Sequence, residues 1–399
     1  MLSMGIQDET IALQQKLARV QGLLEASRRV HSTIRLDDVL SAVLETAAKE
    51  LEADGAFFAS TALMSDETGF ESRKNVYGQV PDDWSRWTEF ADMPGYCHAP
   101  MPGARGEILG YLVVFREEPL SMEESDYLEG LALQSSLAIS NAQHHERMIE
   151  WERVKLDLDA ARNIQRSLLP QAAPNIAGYS IAIRSTTCYE VGGDYVDVLP
   201  IAGERWMMVV ADVAGKGLAS ALISATFRSM FRAMAGTGLP LDEMATRMNT
   251  LHWQEGLEAR RRYVTAILVC FDPARHTVEF VNAGHNPAFL VEPKGGATRI
   301  GASGPPLGML PGMRYVKEEH TLTQHSQLLL YTDGLTEACS ATNEDQEFGE
   351  DGLLDLLIRP RQGDFLDQVW KTLAKFSGGT RQTDDMTALY LCASGAATE

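Results

Sequence analysis

Val191-Gly192-Gly193-Asp194-Tyr195-Val196-Asp197 and, further along, Ala211-Asp212-Val213-Ala214-Gly215-Lys216-Gly217 frame the stretch that decides how the C-terminal half folds. Between them lie Val196 to Pro200, a turn-like Ile201-Ala202-Gly203-Glu204, and the apolar run Trp206 to Ala211. Two apolar runs around a Gly-containing turn predict a β-hairpin. Asp194 and Asp212 are equidistant from Gly203. Folding there sets both carboxylates side by side at the hairpin's open end. Paired carboxylates repel, and a cation or a shared proton relieves the cost. Hard divalent cations take carboxylate and backbone oxygen ligands, so the pair is a candidate metal site.

Four stretches further along join it. Asn282-Ala283-Gly284-His285-Asn286-Pro287 follows a predicted strand, and Gly304-Pro305-Pro306-Leu307-Gly308 is a rigid loop. Asp333 ends a strand in Tyr331-Thr332-Asp333-Gly334-Leu335-Thr336-Glu337. Asp384 stands just before another in Thr383-Asp384-Asp385-Met386-Thr387. Antiparallel pairing of those strands would bring Asp333 and Asp384 to one sheet end, as the hairpin does for Asp194 and Asp212. A single strand-end Asp before Gly is ordinarily a turn former; four strand-end aspartates in one chain point to a site. Without nearby Cys or metal-spaced His, an oxygen-rich site suits Mg²⁺ or Mn²⁺ rather than zinc. Two such ions lower the pKa of a water and hold phosphoryl oxygens, the chemistry of phosphate ester hydrolysis.

Around these motifs the pattern after Pro170 is one of short strands separated by Gly, Asn and Pro. Strands are expected at Tyr263 to Phe271, Thr277 to Val281, Ala288 to Val291, Gln327 to Tyr331 and Met386 to Cys392. Helices are expected at Leu218 to Ala235, Leu241 to His252 and Phe365 to Phe376. This order suggests a two-sheet sandwich with helices outside.

Upstream, Leu13, Leu17, Val20 and Leu24 make a short apolar seam on a helix from Asp8 to Glu25, either packed on its own domain or dimerising. Residues 27–143 read as a small α+β domain. A helix follows Ile34, with Asp37 and Asp38 in its first turn. Strands follow at Ala56 to Met64 and Glu107 to Phe115, then a helix from Met122 to Asn141. The stretch from Ser65 to Pro102, with Trp84, Trp87 and Phe90, reads as irregular. Cys97 and His98, adjacent in that stretch, do not make a metal site. From Leu137 to Leu169 one long helical segment carries Leu137, Asn141, His144, Met148 and Trp151 at heptad spacing. Val154, Leu158, Ala161, Gln165 and Leu168 continue it after a three-residue step, which suits a parallel dimeric coiled coil with a stammer. Pro170 ends it.

The chain has 399 residues, 45% hydrophobic and 23% charged, enough for two or three domains. A net charge of -20 argues against nucleic acid and anionic membrane surfaces as partners. There is no apolar run long enough to span a bilayer and no basic-then-apolar leader pattern, so a soluble cytoplasmic protein is expected. The five cysteines are scattered, without CxxC spacing, and read as ordinary thiols.

The order of elements in residues 27–143, closing on "GEILGYLVVFREEPLSMEESDYLEGLALQSSLAISNA", resembles a GAF domain, a sensory module that binds small ligands or dimerises. "ARNIQRSLLP", "VGGDYVDV", "ADVAGKGLASAL", "NAGHNP", "PPLGM", "YTDGLTEA" and "TDDMTALYL" occur in that order. Together they resemble the bacterial PP2C-type (PPM) serine/threonine phosphatases of the RsbU/SpoIIE kind. The resemblance implies an α+β architecture: an αββα two-sheet sandwich over residues 171–395, preceded by the GAF-like domain and a helical linker over 144–170, with residues 1–26 as an N-terminal helix. It implies two Mn²⁺ or Mg²⁺ ions and direct hydrolysis of phosphoserine or phosphothreonine, typically on a STAS-type anti-sigma factor antagonist. By resemblance, Asp212 is the bridging ligand with the Val213 carbonyl beside it. Asp194 matches the acidic residue near the first metal, and Asp333 and Asp384 match the remaining carboxylate ligands. Asp385, His285 and Lys216 are candidates for supporting roles. Two features depart from eukaryotic-type members. Ala214 stands where they carry a histidine proposed as general acid, and their early phosphate-binding arginine has no evident counterpart. By resemblance the linker helix is regulatory; its heptad spacing suits a dimer, with a plain connecting helix as the alternative. The alternative is a catalytically weak or inactive phosphatase fold acting as a sensory interaction module.

Overall fold

The computed structural model describes residues 33–60, 76–80, 95–103, 106–293, 296–343, 345–359, 363–380 and 382–394, with Gly22 and Arg28 as isolated positions. The helix expected over Asp8 to Glu25 and the aromatics Trp84, Trp87 and Phe90 lie outside the described residues. The chain divides into two units, Met1–Lys155 and Leu156–Glu399.

In the first unit, α1 (Leu36–Glu50) carries Asp37 and Asp38 in its first turn and buries Val39, Leu40, Val43, Leu44 and Ala47. That three-and-four spacing is one face of a helix. Strands β1 (Gly55–Ser60), β2 (Val76–Gly78), β3 (Tyr96–Pro102) and β4 (Ile108–Phe115) form an antiparallel sheet in the order β2-β1-β4-β3. Leu112, Val113 and Val114 on β4 are fully buried, as its near-continuous apolar run requires. β2 and β3 fall inside the stretch expected to be irregular. β2 has only three residues. β3 contains Pro100 and Pro102 and shifts register at Met101/Pro102. Its place at the sheet edge is what makes those prolines tolerable.

Helix α2 (Met122–Leu168) is continuous and runs from the first unit into the second. Ser121 and Glu124 cap its start reciprocally. The Glu124 N–H donates to Ser121 Oγ at 3.2 Å, and the Ser121 N–H donates to Glu124 Oε2 at 2.7 Å, a capping box. Up to Ala142 the helix buries one face; from there to Leu168 no residue is buried.

The second unit is a four-layer sandwich. Its strands are β5 (Tyr179–Thr186), β6 (Tyr195–Ile201), β7 (Arg205–Val213), β8 (Val264–Asp272), β9 (Thr277–Ala283), β10 (Ala288–Val291), β11 (Ala297–Ile300), β12 (Glu318–Thr321), β13 (Gln327–Tyr331) and β14 (Met386–Ala393). They make two five-stranded antiparallel sheets, β11-β10-β13-β14-β5 and β12-β9-β8-β7-β6. Strand β7 shows why both faces are covered. Met208 and Val210 point into the core between the sheets, with Ile267, Leu330 and Leu389. Met207, Val209 and Ala211 point the other way, under α3 (Leu218–Ala235) and α4 (Leu241–Gln254), where Phe227, Phe231 and Met244 meet them. A short α5 (Leu257–Arg260) follows. The other sheet buries Leu329, Tyr331 and Tyr390 under α6 (Gly349–Ile358) and α7 (Phe365–Phe376). The αββα arrangement expected for this region is therefore present.

A buried polar group pins helix α3 to the hairpin. Asp197, 1% exposed, accepts from Arg232 Nε at 2.7 Å and from the Tyr195 hydroxyl. This fastens α3 to the strand that leads out of the candidate site.

Candidate metal centre

The hairpin folds about Gly203. Tyr195 pairs with Ala211 and Ile201 with Arg205, while Gly203 and Glu204 take the left-handed backbone that a tight turn between twisted strands requires (φ 77° and 56°). One further step of this register sets Asp194 opposite Asp212. Two glycines make the approach possible. A Cβ on Gly193 would lie 2.9 Å from the Val213 carbonyl oxygen and 3.1 Å from Asp212 Oδ1, and one on Gly192 would lie 2.1 Å from Asp385 Oδ2. The Val213 carbonyl thus faces the same end of the hairpin as the Asp212 carboxylate.

The second sheet brings its own acids. β13 and β14 are antiparallel, with Tyr331 opposite Ala388. Asp333, two residues past β13, opens a 3-10 turn, and Asp384 stands two residues before β14. The turn returns the chain so that the Glu337 N–H donates to the Asp333 carbonyl at 2.8 Å. Asp333, Glu337 and Asp384 each present a carboxylate oxygen, all within 4.8 Å of one another. Glu337 was not among the ligands expected from sequence. Its signal was there: four residues after Asp333, on a turn begun by Asp-Gly, it returns to the same side.

These groups feel one another. Burial, and then the charges of Asp212 and Asp385, hold the Asp194 carboxyl well above the usual carboxylate range. Thr332 works against this, its hydroxyl donating to Asp194 Oδ2 at 2.8 Å. Asp212 is pushed up to about 7 by burial and then by the charges of Asp333, Asp384 and Asp385. Asp333 and Glu337 are raised by burial and then by their acidic neighbours, Asp384 and Asp333 respectively. Lys216 brings a positive charge to this cluster. Its Nζ lies 2.8 Å from Asp384 Oδ2 and donates to the Thr383 carbonyl at 2.7 Å.

Asp385 plays a different part from Asp384. Its carboxylate accepts from the backbone N–H of Cys188 at 2.7 Å and of Gly193 at 2.8 Å, so it holds the glycine loop. His285 is buried in its Asn-Pro loop. Its Nδ1 meets Thr265 Oγ1 at 2.8 Å, and burial lowers its pKa to about 4, leaving a neutral imidazole at physiological pH. Ala214 continues the backbone ladder, its N–H donating to the Tyr263 carbonyl at 2.9 Å. The structure therefore gathers Asp194, Asp212, the Val213 carbonyl, Asp333, Asp384 and Glu337 at one edge of the sandwich. It puts Asp385 behind the loop, Lys216 at the rim and His285 in the interior.

The donor set is oxygen throughout, and among the described residues its carboxylates outnumber the lysine paired with them. It fits hard divalent cations, and a charge of that kind would remove the repulsion that raises the carboxyl pKa values.

Comparisons with known proteins agree with this architecture. Residues 202–394 match the family described as Stage II sporulation protein E (SpoIIE). Among curated relatives, Phosphoserine phosphatase RsbP of Bacillus subtilis (strain 168) is 33% identical over 186 residues, 45% of each chain. Protein IcfG of Synechocystis sp. (strain ATCC 27184 / PCC 6803 / Kazusa) is 25% identical over 262 residues, 59% of this chain and 41% of that protein. The chain spans about half the length of the curated relatives it matches. Among solved structures, the SiaA-PP2C domain of Pseudomonas aeruginosa aligns with a TM-score of 0.52 at 22% identity, covering 61% of this chain and 98% of that one.

Proposed function

We propose that the chain is a metal-dependent protein serine/threonine phosphatase of the PP2C type, a reading supported by the match of residues 202–394 to the SpoIIE family. The observation that carries this is the convergence of five carboxylates from both sheets on one edge, with Lys216 paired to Asp384. Asp194, Asp212, the Val213 carbonyl, Asp333, Glu337 and Asp384 would hold two Mn²⁺ or Mg²⁺ ions. Bound there, such ions supply a nucleophilic water at neutral pH and positive charge opposite the phosphoryl oxygens. The protein's share is positioning. Thr332 orients Asp194, and Asp385 fixes the loop that aims Asp194 and Gly193. Ala214 brings no proton donor, the buried His285 is neutral, and Lys216 is held by Asp384 and the Thr383 carbonyl, so water serves as the proton source for the departing serine or threonine oxygen.

The substrate is a phosphoserine or phosphothreonine on a signalling protein, of the STAS-type anti-sigma factor antagonist class, in the cytoplasm. RsbP, named a phosphoserine phosphatase, supports the ester class. The first unit acts as a GAF-like sensor, an assignment supported by its four-stranded antiparallel sheet with α1 and the start of α2 in one core. Leu137, Met148, Trp151 and Val154 are 56%, 68%, 74% and 45% exposed along α2, an apolar row suited to a second copy of the chain. Among the described residues no helix is long and apolar enough to cross a membrane.

Hydrolysis of p-nitrophenyl phosphate by the purified chain, with Mn²⁺ or with EDTA, tests the activity. Turnover that requires Mn²⁺ is expected, and its absence on this ester and on phosphorylated STAS proteins refutes the reading. Light scattering of the full chain against one beginning near Ser167 tests the dimer. A dimeric mass for the full chain and a monomeric mass for the shorter one are expected, and monomeric masses for both refute it.

A further inference from the structure

Gln165 lies near the end of α2, within the second unit, on the seam that the heptad spacing would give to a partner helix. The structure turns it to its own domain. Its amide makes two hydrogen bonds to one residue: Nε2 donates to the Gly192 carbonyl at 2.7 Å, and the Gly192 N–H donates to Oε1 at 3.1 Å. A primary amide paired with both backbone groups of one residue imitates a strand neighbour, and it fixes that residue in position and in rotation. Gly192 is buried. On its other side stands Asp385, whose carboxylate takes the N–H groups of Cys188 and Gly193. The loop is thus gripped between a helix and an acid, and its next residue is Asp194.

The clearances leave little slack. Gly193 packs against the Val213 carbonyl and Asp212, as the missing Cβ requires. A loop displaced from Gln165 would move Gly193 and Asp194 relative to Asp212. The end of α2 is itself held to the domain, because Arg228 Nε on α3 donates to the Leu168 carbonyl at 2.9 Å. This satisfies one of the carbonyls a helix end leaves open.

We propose that Gln165 is a positioning residue for the metal centre: by clamping Gly192 it couples the seating of helix α2 to the placement of Asp194 against Asp212, and so sets the affinity for divalent cations. The proposal rests on the metal-centre reading above. It deepens it by naming the side chain through which the linker helix reaches the carboxylates.

The test is Mn²⁺ binding to the full chain, read by calorimetric titration and by the metal-induced rise in melting temperature, for wild type, Gln165→Ala, Gln165→Glu and the exposed control Asn163→Ala. Two hydrogen bonds are lost in Gln165→Ala, their strength shared between holding the helix and holding the loop, and the dissociation constant should rise about tenfold. Gln165→Glu keeps the length and one acceptor but sets a carboxylate oxygen against the Gly192 carbonyl. It should weaken binding at least as much near neutral pH and recover part of it in acid, where a protonated carboxyl donates again. A purely structural side chain would not give that pH-dependent recovery. Asn163→Ala should bind as wild type does. Wild-type affinity in both Gln165 variants overturns the proposal while leaving the metal centre standing. If wild type binds no Mn²⁺, the metal-centre reading itself fails. If Gln165→Ala does not fold, the Gln165→Glu pH series decides alone: affinity independent of pH relative to wild type overturns the coupling.

Discussion

Replacing Asp212 by Asn should stabilise the metal-free protein and remove its response to metal. The carboxyl of Asp212 sits at about 7 instead of near 3.8, because folding buries it beside three other acids. Each factor of ten in proton affinity corresponds to about 1.4 kcal/mol, which puts the ceiling of the folding penalty at roughly 4 kcal/mol above neutral pH. Asp212 remains partly accessible, and screening by water brings the penalty to about 2 kcal/mol. For a domain of this size, about 2 kcal/mol moves the melting temperature by ~4–8 °C. Scanning calorimetry with EDTA at about pH 8 should therefore show Asp212→Asn melting above wild type. Saturating Mn²⁺ should reverse the order. A ligand at about a hundred times its dissociation constant adds ~2.7 kcal/mol to the form that binds it, and only wild type keeps the full set of oxygens. The pH dependence follows from the direction of the shift. A carboxyl raised in the folded state favours folding below its unfolded value and loses that contribution as pH rises through the folded one. The advantage of Asp212→Asn should be fullest above about pH 7 and vanish toward pH 4. An Asn variant less stable than wild type in EDTA, or one that keeps the same Mn²⁺-induced rise, would refute the reasoning.

Glu337→Gln should raise the Mn²⁺ concentration needed for half-maximal turnover several-fold while leaving the metal-free melting temperature the same or higher; an unchanged metal requirement would remove Glu337 from the site. Gly193→Ala puts a Cβ against the Val213 carbonyl and Asp212, and titration calorimetry should show Mn²⁺ binding lost or greatly weakened in a protein that still gives a β-rich dichroism spectrum. Asp197→Ala leaves Arg232 and the Tyr195 hydroxyl without their acceptor and should cost about 3 kcal/mol in urea unfolding. His285 is neutral in the fold with its pKa lowered to about 4, so its contribution is present above its unfolded pKa and lost as pH falls toward 4. The stability deficit of His285→Gln in urea unfolding should accordingly shrink between about pH 7 and about pH 5, and a deficit constant across that range contradicts the buried neutral imidazole.

Periodicity and symmetry about a turn carried most of what was legible. Equal spacing from Gly203 was enough to set Asp194 against Asp212, because an antiparallel register is fixed once its turn is known. The Asp333–Asp384 meeting followed from the same logic, and β13 and β14 pair as that required. The elements that escaped are those whose order comes from neighbours. β11 and β12 are four-residue, mostly exposed edge strands, with no apolar alternation to announce them. Helix α6 opens on Gly349 and contains Gly352, both poor helix formers, and takes its stability from Leu353 and Leu357 in the core. Gln165 shows the opposite failure. It fitted a heptad, and that one-dimensional pattern had no means of registering a backbone partner at Gly192. Glu337 stands four residues after Asp333, a spacing that brings it back to the same side once the Asp-Gly turn forms.

The most direct test of the central claim is release of phosphate from a phosphoserine-bearing STAS protein by the full chain, followed as Mn²⁺ is titrated in after EDTA, with Asp212→Asn alongside. Wild type should be silent in EDTA and gain turnover with Mn²⁺, while the variant, folded and at least as stable in EDTA, stays silent throughout. Phosphate release by wild type that survives EDTA, or equal release by Asp212→Asn, would contradict it.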